Sequence, residues 1–277
     1  MATDTKKKIC LVIGDHVGRS LSPAMHNAAY KALGMDFQYE FKPMRIAATE
    51  LKQGIKEIRA NGIHAFAVTI PHKEAIMQYL DEINDEARHI GAVNTVLNVN
   101  GKLIGYNTDY YGAMESLKQH TSLSGKKVAV LGSGGSARAI VYGLTKAKCS
   151  VIIYSRNTEK ADELAESFGC KVKSWEQRNN LQADIIINTT PIGKEGETLP
   201  IDESIIQKEQ IVFDINYNVN GTSLAHAAER KGAINVDGLE MLLRQGMMQF
   251  ELYTGLKAPE QAMRNALKNE LNHVTSI

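Results

Sequence analysis

Residues 128–138 read Val128-Ala129-Val130-Leu131-Gly132-Ser133-Gly134-Gly135-Ser136-Ala137-Arg138, an apolar run followed by a glycine-rich turn. The run predicts a buried strand, and the residues after the turn predict a helix. Glycines in such a turn let backbone N–H groups approach a pyrophosphate, while the positive end of the helix points at the same charge. A glycine-rich loop can also simply close a strand–helix corner. Because residues 1–127 precede this stretch, we predict a nucleotide site in mid-chain, with another folded unit before it.

The strand pattern of residues 128–131 recurs three times along the second half of the chain, with helical patterns between the strands. The further strands are predicted at residues 151–154, 185–188 and 211–215. This alternation is typical of a parallel sheet wound by right-handed crossovers. The second half is therefore predicted to be a Rossmann-type α/β domain.

The first half also alternates strands and helices. Ser22-Pro23 predicts a helix start, with serine as N-cap, and a second helix is predicted from Leu51, Ile55 and Ile58, with Thr49 as its cap. Strands are predicted at residues 8–13 and 65–69, and Pro71 is predicted to begin another helix. Asn100-Gly101 separates two short strands, at residues 94–99 and 102–106, and is a strong hairpin signal.

These patterns predict a chain of two α/β domains. Residues 1–108 form a substrate-binding domain that the C-terminal helices, within residues 239–277, complete by folding back on it. Residues 109–238 form the nucleotide-binding Rossmann domain, and a helix at 108–120 with the polar connector 121–125 leads into it.

Composition narrows the classes of partner. The 277 residues are 43% hydrophobic and 23% charged, as in an ordinary globular protein. The 32 Lys and Arg nearly balance the 31 Asp and Glu, and no basic block exceeds Lys6-Lys7-Lys8, so a small molecule is a better expected partner than nucleic acid or a membrane. Without a signal-peptide or membrane-spanning pattern, the expected location is the cytoplasm. Monomer and homodimer both stay open.

The cysteines and histidines give no sign of a metal site or a disulfide framework. Cys10, Cys149 and Cys170 are isolated and odd in number, so we interpret them as small buried hydrophobic residues. The eight histidines form no ligand-spaced pair, and no metal is predicted.

The end of the second predicted strand of the Rossmann domain indicates which dinucleotide binds. Where an NAD site carries a carboxylate for the ribose 2′-hydroxyl, the chain has Ser155-Arg156-Asn157, followed by Lys160. A guanidinium pairs with a 2′-phosphate, which an acid would repel. These residues favour NADP over NAD, the alternative being that Arg156 and Lys160 are ordinary surface charges.

Polar residues of the first unit fall at predicted element ends, where an open α/β sheet presents side chains to a ligand. Ser20 and Ser22 could hold a carboxylate, or they could only cap a helix. Lys73 follows a strand that ends at Thr69 and could act as acid or base, or be a surface charge. Asp109 begins a helix, where it could also only stabilise the helix dipole.

Taken in order, these motifs resemble the shikimate dehydrogenase family, over nearly the whole chain. The first unit supplies residues 20–23, 68–73, 91–95 (Gly-Ala-Val-Asn94-Thr) and 107–109. The rest of the chain supplies residues 132–138, 188–193, 214–217 and 237–245. The resemblance implies NADP-dependent, reversible reduction of 3-dehydroshikimate to shikimate, on the route to the aromatic amino acids.

The resemblance also implies roles for single residues. Lys73 and Asp109 are the implied catalytic pair, and Asp109 also contacts the substrate. The remaining implied substrate ligands are Ser20 and Ser22 for the carboxylate, Thr69, Asn94 and Gln245 for the hydroxyls, and Tyr217. The implied cofactor ligands are Gly132, Ser133, Gly134, Gly135, Ser136, Ala137, Ser155, Arg156, Asn157, Lys160, Thr189, Ile215 and Gly238.

The chain departs from the family pattern at three positions. Ala67 stands where many members have asparagine, which predicts one missing hydroxyl contact, and Tyr110 and Glu240 replace common glycines. The resemblance leaves two alternatives open. One is a sister enzyme that uses NAD or prefers quinate; the other is a non-catalytic ligand sensor on the same scaffold, against which the retained Lys73 and Asp109 argue.

Overall fold

The protein folds into two compact units. The structure, a computed structural model, describes residues 7–193, 196 and 198–274. The first unit comprises residues 1–108 and 245–277, and the second comprises residues 109–244. Residues 239–244 therefore lie in the second unit, although the predicted Rossmann domain ends at residue 238. One long helix, Gly238–Thr254, runs across the predicted boundary. The functional domain bounds stay a prediction.

The first unit is built on a mixed six-stranded sheet. Its elements are β1 (Lys8–Gly14), α1 (Ser22–Ala32), β2 (Tyr39–Arg45), α2 (Leu51–Ala60), β3 (Ala65–Val68), α3 (His72–Ala75), β4 (Glu82–Ile83), α4 (Asp85–Ile90), β5 (Thr95–Val99) and β6 (Lys102–Tyr106). The strand order is β2-β1-β3-β5-β6-β4. β1 runs parallel to both of its neighbours, and β5 runs antiparallel to β3 and β6.

Local sequence explains several of these elements. Asn100 and Gly101 both have positive φ angles, and Val99 pairs with Lys102, which confirms the predicted hairpin. Leu51, Ile55 and Ile58 are buried on one face of α2, also as predicted. The predicted Thr49 cap is wrong. A single 3₁₀ turn precedes α2, and the side chain of Glu50 accepts the Ala47 N–H there at 3.0 Å.

The second unit is a doubly wound parallel sheet. Its elements are α5 (Asp109–Lys118), β7 (Lys127–Leu131), α6 (Gly135–Lys146), β8 (Ser150–Ser155), α7 (Thr158–Phe168), β9 (Lys171–Ser174), β10 (Ile185–Asn188), β11 (Ile211–Asp214), α8 (Ser223–Arg230) and β12 (Ile234–Asp237). The order β12-β11-β10-β7-β8-β9 has every pair parallel, with β7 at the point where the order reverses. This is the Rossmann order, in which ligands bind beyond the carboxyl ends of the strands.

Two apolar cores cover the faces of this sheet. Val128 and Val130 of β7 belong to one core, while Ala129 and Leu131 belong to the other. Successive side chains of a strand point to opposite faces, so a strand covered on both faces must be continuously apolar. The run at 128–131 is therefore what a central strand of such a sheet requires.

Two helices end the described chain: α9 (Gly238–Thr254) and α10 (Glu260–Val274). Within the first unit, α10 packs against α1. No helix among the described residues is long and apolar enough to cross a membrane. Burial raises the pKa of all three cysteine thiols, that of Cys10 to about 12 and those of Cys149 and Cys170 to about 11.

Candidate active site

Three of the predicted site residues of the first unit meet at one end of its sheet. Thr69 follows β3 directly, and its N–H donates to the Ile13 carbonyl at the end of β1, 2.9 Å away. The Lys73 carbonyl accepts from the Val93 N–H at 2.8 Å, and the neighbouring Asn94 carbonyl accepts from the Val68 N–H at 2.7 Å. Backbone bonds therefore hold Thr69, Lys73 and Asn94 next to one another at the carboxyl end of the parallel strands.

The surroundings of these residues leave little freedom to the backbone. A Cβ atom on Gly14 would lie 2.5 Å from Thr69 Cγ2 and 2.9 Å from the Ile70 carbonyl oxygen, so only glycine fits beside Thr69. The buried His72 ring bonds through Nε2 to the Ile46 carbonyl, 2.7 Å away, and anchors α3. Within the described residues, the hydroxyl of the half-buried Thr69 makes no hydrogen bond, so it can serve a ligand.

Asn94 belongs to a buried cluster of amides and hydroxyls in the first unit. Its Nδ2 donates to Thr108 Oγ1 at 2.9 Å and to Gln245 Oε1 at 3.4 Å. Its Oδ1 accepts from the Thr108 N–H at 2.7 Å and from Thr95 Oγ1 at 2.8 Å. Gln249 Nε2 in turn donates to Thr95 Oγ1 at 2.9 Å. Asn94 and Gln245 are only 2% and 6% exposed, so a ligand that binds them would have to replace one of these hydrogen bonds. The bond from Asn94 to Gln245 is the longest of these hydrogen bonds and therefore the weakest.

Sequence reasoning assigned no role to Thr95, Thr108 or Gln249 in this cluster. One signal was available, since Gln245 and Gln249 are four residues apart and share one face of α9. A second was the pairing of asparagine with threonine at both 94–95 and 107–108.

The two predicted carboxylate ligands lie at the start of α1. The prediction that Ser22 caps this helix is wrong, because Ser22 is the first helical residue and its N–H donates to Ser20 Oγ at 3.3 Å. Ser20 is thus the residue whose side chain satisfies a free N–H of the first turn. Within the described residues the Ser22 hydroxyl makes no hydrogen bond, although the residue is buried, so it can donate to a ligand at the positive end of the helix.

The other two members of the predicted substrate set belong to the second unit. Asp109 is the first residue of α5 and is 5% exposed. Tyr217 follows β11 in the loop that begins at Ile215, is partly buried, and has its pKa raised by burial.

The glycine-rich turn of the second unit, predicted as a phosphate site, connects β7 to α6. Gly132 has φ +110°, and a Cβ there would lie 2.5 Å from Thr189 Oγ1, so the turn tolerates no side chain at this position. Ser133 Oγ lies 2.9 Å from Ser155 Oγ, which ties the turn to the end of β8. At Gly134, the N-cap of α6, a Cβ atom would meet nothing within 4 Å, so the backbone is open to a ligand.

The first turn of α6 begins with Gly135, Ser136 and the fully buried Ala137 and has no acidic residue. Its N–H groups and the helix dipole therefore favour an anion. Beyond β8, Arg156 and Lys160 are exposed. Asn157 caps α7, since its Oδ1 accepts the Lys160 N–H at 2.9 Å. Arg156 makes no ion pair within the described part of the chain.

The loops after β10 and β11 are held by the buried carboxylate of Asp214. Its Oδ1 accepts from Asn188 Nδ2 at 3.1 Å and from Asn216 Nδ2 at 2.8 Å. Asn216 Nδ2 also donates to the Thr190 carbonyl at 2.7 Å, so the carboxylate joins the two loops. Burial raises the pKa of Asp214, and hydrogen bonds from Thr222 and the asparagines oppose that rise.

Three predicted cofactor residues lie in or against these loops. Thr189 Oγ1 donates to the Leu131 carbonyl at 2.6 Å, and Ile215 follows β11. A Cβ on Gly238, the first residue of α9, would lie 2.6 Å from the Ile215 carbonyl oxygen and 2.5 Å from that of Asn216. Only glycine lets α9 begin so close to this backbone.

The three departures from the family pattern have local explanations. Ala67 is buried in β3 opposite Thr95 and has no polar atom in its side chain to offer a substrate. Tyr110 packs edge-on against Tyr142, with ring centroids 5.4 Å apart. Glu240 accepts from Arg244 Nε at 2.7 Å, four residues along α9.

The second unit is a Rossmann sheet with a turn suited to phosphate, and the first unit carries clustered hydroxyl and amide groups and a lysine. Together these features define a dinucleotide-dependent oxidoreductase. Family models match three regions. Residues 12–96 match the shikimate dehydrogenase substrate binding domain, 238–268 the shikimate 5′-dehydrogenase C-terminal domain, and 127–218 the coenzyme F420-dependent NADP oxidoreductase model. The chain belongs to the shikimate dehydrogenase family, as its motifs predicted.

Individual relatives are similar to this chain over almost its full length. The chain is 39% identical to the shikimate dehydrogenase (NADP(+)) of Methanothermobacter thermautotrophicus, over 96% of this chain and 98% of the relative. It is similar to the crystal structure of shikimate 5-dehydrogenase from Thermus thermophilus in complex with NADP(H) and shikimate, with 34% identity, a TM-score of 0.86 and coverage of 95% and 99%. It is also similar to a ligand-free 5-ketofructose reductase of Gluconobacter sp. strain CHM43, with 32% identity, a TM-score of 0.85 and the same coverage.

Proposed function

We propose that this protein is an NADP-dependent shikimate dehydrogenase, which reversibly reduces 3-dehydroshikimate to shikimate in the biosynthesis of aromatic amino acids. The observation that carries the proposal is the grouping of Thr69, Lys73 and Asn94 at one end of the first sheet. A polyhydroxylated ring needs several hydrogen-bonding groups, and reduction of its ketone needs a proton donor close to them.

NADP fits the residues of the second unit. The turn at Gly132–Gly135 and the first turn of α6 would hold the pyrophosphate, because the backbone is open at Gly134 and no acid stands in that turn. Arg156 and Lys160 would pair with the 2′-phosphate, and Ser155 and Asn157 would shape the end of β8 beside it. Thr189, Ile215 and Gly238 would line the nicotinamide end. When bound, NADP supplies hydride exchange at its nicotinamide ring.

The first unit would bind the substrate and exchange its proton. The free hydroxyl of Ser22, with Ser20 beside it, would hold the carboxylate at the start of α1. Thr69, Asn94 and Gln245 would bind the ring hydroxyls.

The protein's part in the reaction is a proton transfer. Lys73 would exchange a proton with the C3 oxygen, and Asp109 would orient the lysine and a neighbouring substrate hydroxyl, with Tyr217 as a further substrate contact. These assignments rest on the family motifs and on the strand-end positions of the residues.

Initial rates would test the proposal directly. The purified protein is mixed with shikimate or quinate and with NADP or NAD, and reduced cofactor is followed by absorbance. We expect the highest kcat/KM with shikimate and NADP. If the protein oxidises neither shikimate nor quinate, the proposal is contradicted and the non-catalytic sensor is favoured. Higher kcat/KM with quinate or NAD would instead point to the sister enzyme.

One similar structure carries the name of a different activity, so 5-ketofructose with NADPH belongs in the same assay. That substrate has no carboxylate for Ser20 and Ser22 to bind. We therefore expect its kcat/KM to be far below that for 3-dehydroshikimate, and the reverse ranking would overturn the substrate assignment.

A further inference from the structure

The nicotinamide end of the proposed cofactor site is built on two loops of the second unit, one beginning at Thr189 after β10 and the other at Ile215 after β11. Asp214, the last residue of β11, is 2% exposed, and the proposed function gives it no contact with cofactor or substrate. Among the described residues its carboxylate has hydrogen-bond donors around it but no cation. Burying such a group is costly unless its hydrogen bonds compensate, so the donors that it binds call for an explanation.

One oxygen of this carboxylate binds three N–H groups. Asp214 Oδ1 accepts from Asn188 Nδ2 at 3.1 Å, from Asn216 Nδ2 at 2.8 Å and from the backbone N–H of Asn216 at 3.1 Å. A carboxylate oxygen can only accept, and its charge makes such bonds about twice as strong as those to a neutral group. Asp214 therefore holds both asparagine side chains in one orientation, with the amide nitrogen towards the carboxylate.

In this orientation the two asparagines bind the backbone of the first loop. Asn188 Oδ1 accepts the Thr190 N–H at 3.1 Å and the Thr190 hydroxyl at 2.7 Å, while Asn188 Nδ2 also donates to the Ile192 carbonyl at 3.0 Å. Asn216 Nδ2, from the second loop, donates to the Thr190 carbonyl at 2.7 Å. Both backbone polar groups of Thr190 are thus paired with side chains that Asp214 orients.

The loops that are held in this way carry the residues assigned to the nicotinamide end. The Thr189 N–H and hydroxyl both donate to the Leu131 carbonyl at the end of β7, at 2.9 and 2.6 Å. The Ile215 N–H donates to the Asn188 carbonyl at 3.1 Å. Thr189 and Ile215 thus lie directly beside Asn188 and Asp214 in the chain, so a change in the hydrogen bonds of the carboxylate would move them.

We propose that Asp214 is a positioning residue for the nicotinamide half of the cofactor: its carboxylate fixes the two loops from which Thr189 and Ile215 contact that half. The inference rests on the proposed function, which places NADP on the second unit. The 2′-phosphate at the other end of the cofactor would be held by Arg156 beyond β8, outside the hydrogen bonds around Asp214. Loss of the carboxylate should therefore weaken binding of one half of NADP and spare the other.

Two substitutions at Asp214 test the proposal by titration calorimetry with NADPH and with adenosine 2′,5′-bisphosphate, which lacks the nicotinamide half. Asp214→Leu removes the acceptor at similar size. Asp214→Asn keeps an oxygen for the asparagine N–H groups and can place its nitrogen at Oδ2, which completes no close hydrogen bond among the described residues. For Asp214→Leu we expect the Kd of NADPH to rise about tenfold and that of the bisphosphate to stay within about twofold. Asp214→Asn should keep both Kd values within about threefold of wild type.

Asp184→Leu is the matched control. Asp184 Oδ2 also accepts a backbone N–H, that of Lys127 at 2.7 Å, but at the amino ends of β10 and β7. Its two Kd values should equal those of wild type. A folded Asp214→Leu protein with an unchanged Kd for NADPH overturns the proposal, and so does an equal rise of both Kd values or an Asp214→Asn protein that binds NADPH no better than Asp214→Leu. If Asp214→Leu does not fold, Asn216→Ala decides, and we expect it to raise the Kd of NADPH alone.

A second measurement needs no cofactor. The N–H of Thr190 is bonded to Asn188 Oδ1, so its hydrogen-exchange protection reports whether the first loop is held. Protection should fall in Asp214→Leu and stay in Asp214→Asn and Asp184→Leu. Unchanged protection in a folded Asp214→Leu protein refutes the inference. If the wild-type protein binds NADPH but oxidises no shikimate, the proposed function fails while the Kd values and the exchange rates still decide the inference.

Discussion

The buried His26 makes the stability of the first unit depend on pH. Desolvation lowers the pKa of His26 from 6.5 to about 3 in the folded protein, and the contact with Gln249 only partly opposes it. Below pH 6.5 the unfolded chain therefore binds a proton that the folded chain does not. The contribution of the neutral ring to stability is complete above pH 6.5 and is lost progressively as the pH falls towards 3.

The size of the effect follows from the two pKa values. With 6.5 for the unfolded chain and about 3 for the folded one, lowering the pH from 7 to 5 costs about 2 kcal/mol of unfolding free energy. Since a domain of this kind is stable by only about 5–15 kcal/mol, the loss is large enough to measure. In His26→Gln the side chain does not titrate, and this loss should disappear.

Amide hydrogen exchange of β1 measures the effect, because β1 lies between two other strands of the first sheet. Protection would be compared at pH 7 and pH 5 in both proteins, after correction for the intrinsic exchange rates. His64, whose pKa burial also lowers, is present in both proteins, so its contribution cancels in the difference. An equal pH dependence in wild type and His26→Gln would refute the reasoning.

Three further substitutions follow from the site. Lys73→Ala should lower turnover by about 10²–10⁴ with an unchanged circular dichroism spectrum, and turnover near the wild-type value would rule out Lys73 as the proton-exchanging group. Arg156→Asp should weaken NADP binding far more than NAD binding in titrations, whereas equal losses would mean that the arginine does not contact the 2′-phosphate. Gly238→Ala should cost about 1–3 kcal/mol in denaturant unfolding, because its Cβ would meet the Ile215 and Asn216 carbonyls at 2.5–2.6 Å; an unchanged midpoint would show that the backbone yields.

The central strands of both sheets were predictable, but the four outer strands were not. The run at 128–131 is continuously apolar because both faces of β7 are covered. β2, β4, β9 and β12 lie at the edges of their sheets, where one side of each strand has no neighbour. β2 carries Glu40, Lys42, Pro43 and Arg45, residues typical of an edge strand, and so has no apolar run to detect.

The positions of the candidate site residues at strand ends and helix starts were predictable from the sequence, but the contacts among these residues were not. Thr69 and Arg156 could be placed from the sequence because each follows a recognisable strand. The bond from Asn94 to Gln245 spans 151 residues, and that from Gln249 to Thr95 spans 154, and no local spacing reports such a distance. The prediction of Ser22 as helix cap was wrong for a related reason. The N-cap position falls on Leu21, between two serines that suit the role by type, and only the backbone conformation shows this.

In both units a buried side-chain oxygen accepts N–H groups from residues next to the end of a strand. In the first unit Asn94 Oδ1 accepts the N–H of Thr108, and in the second Asp214 Oδ1 accepts N–H groups from Asn188 and Asn216. Burying such groups costs free energy unless each one is paired, and apolar residues of the same size would stabilise a core at least as well. The presence of these buried polar side chains is therefore best explained by the loops that they orient. Each cluster lies at the strand ends where a ligand of an α/β sheet binds, and its hydrogen bonds fix the loop backbone there.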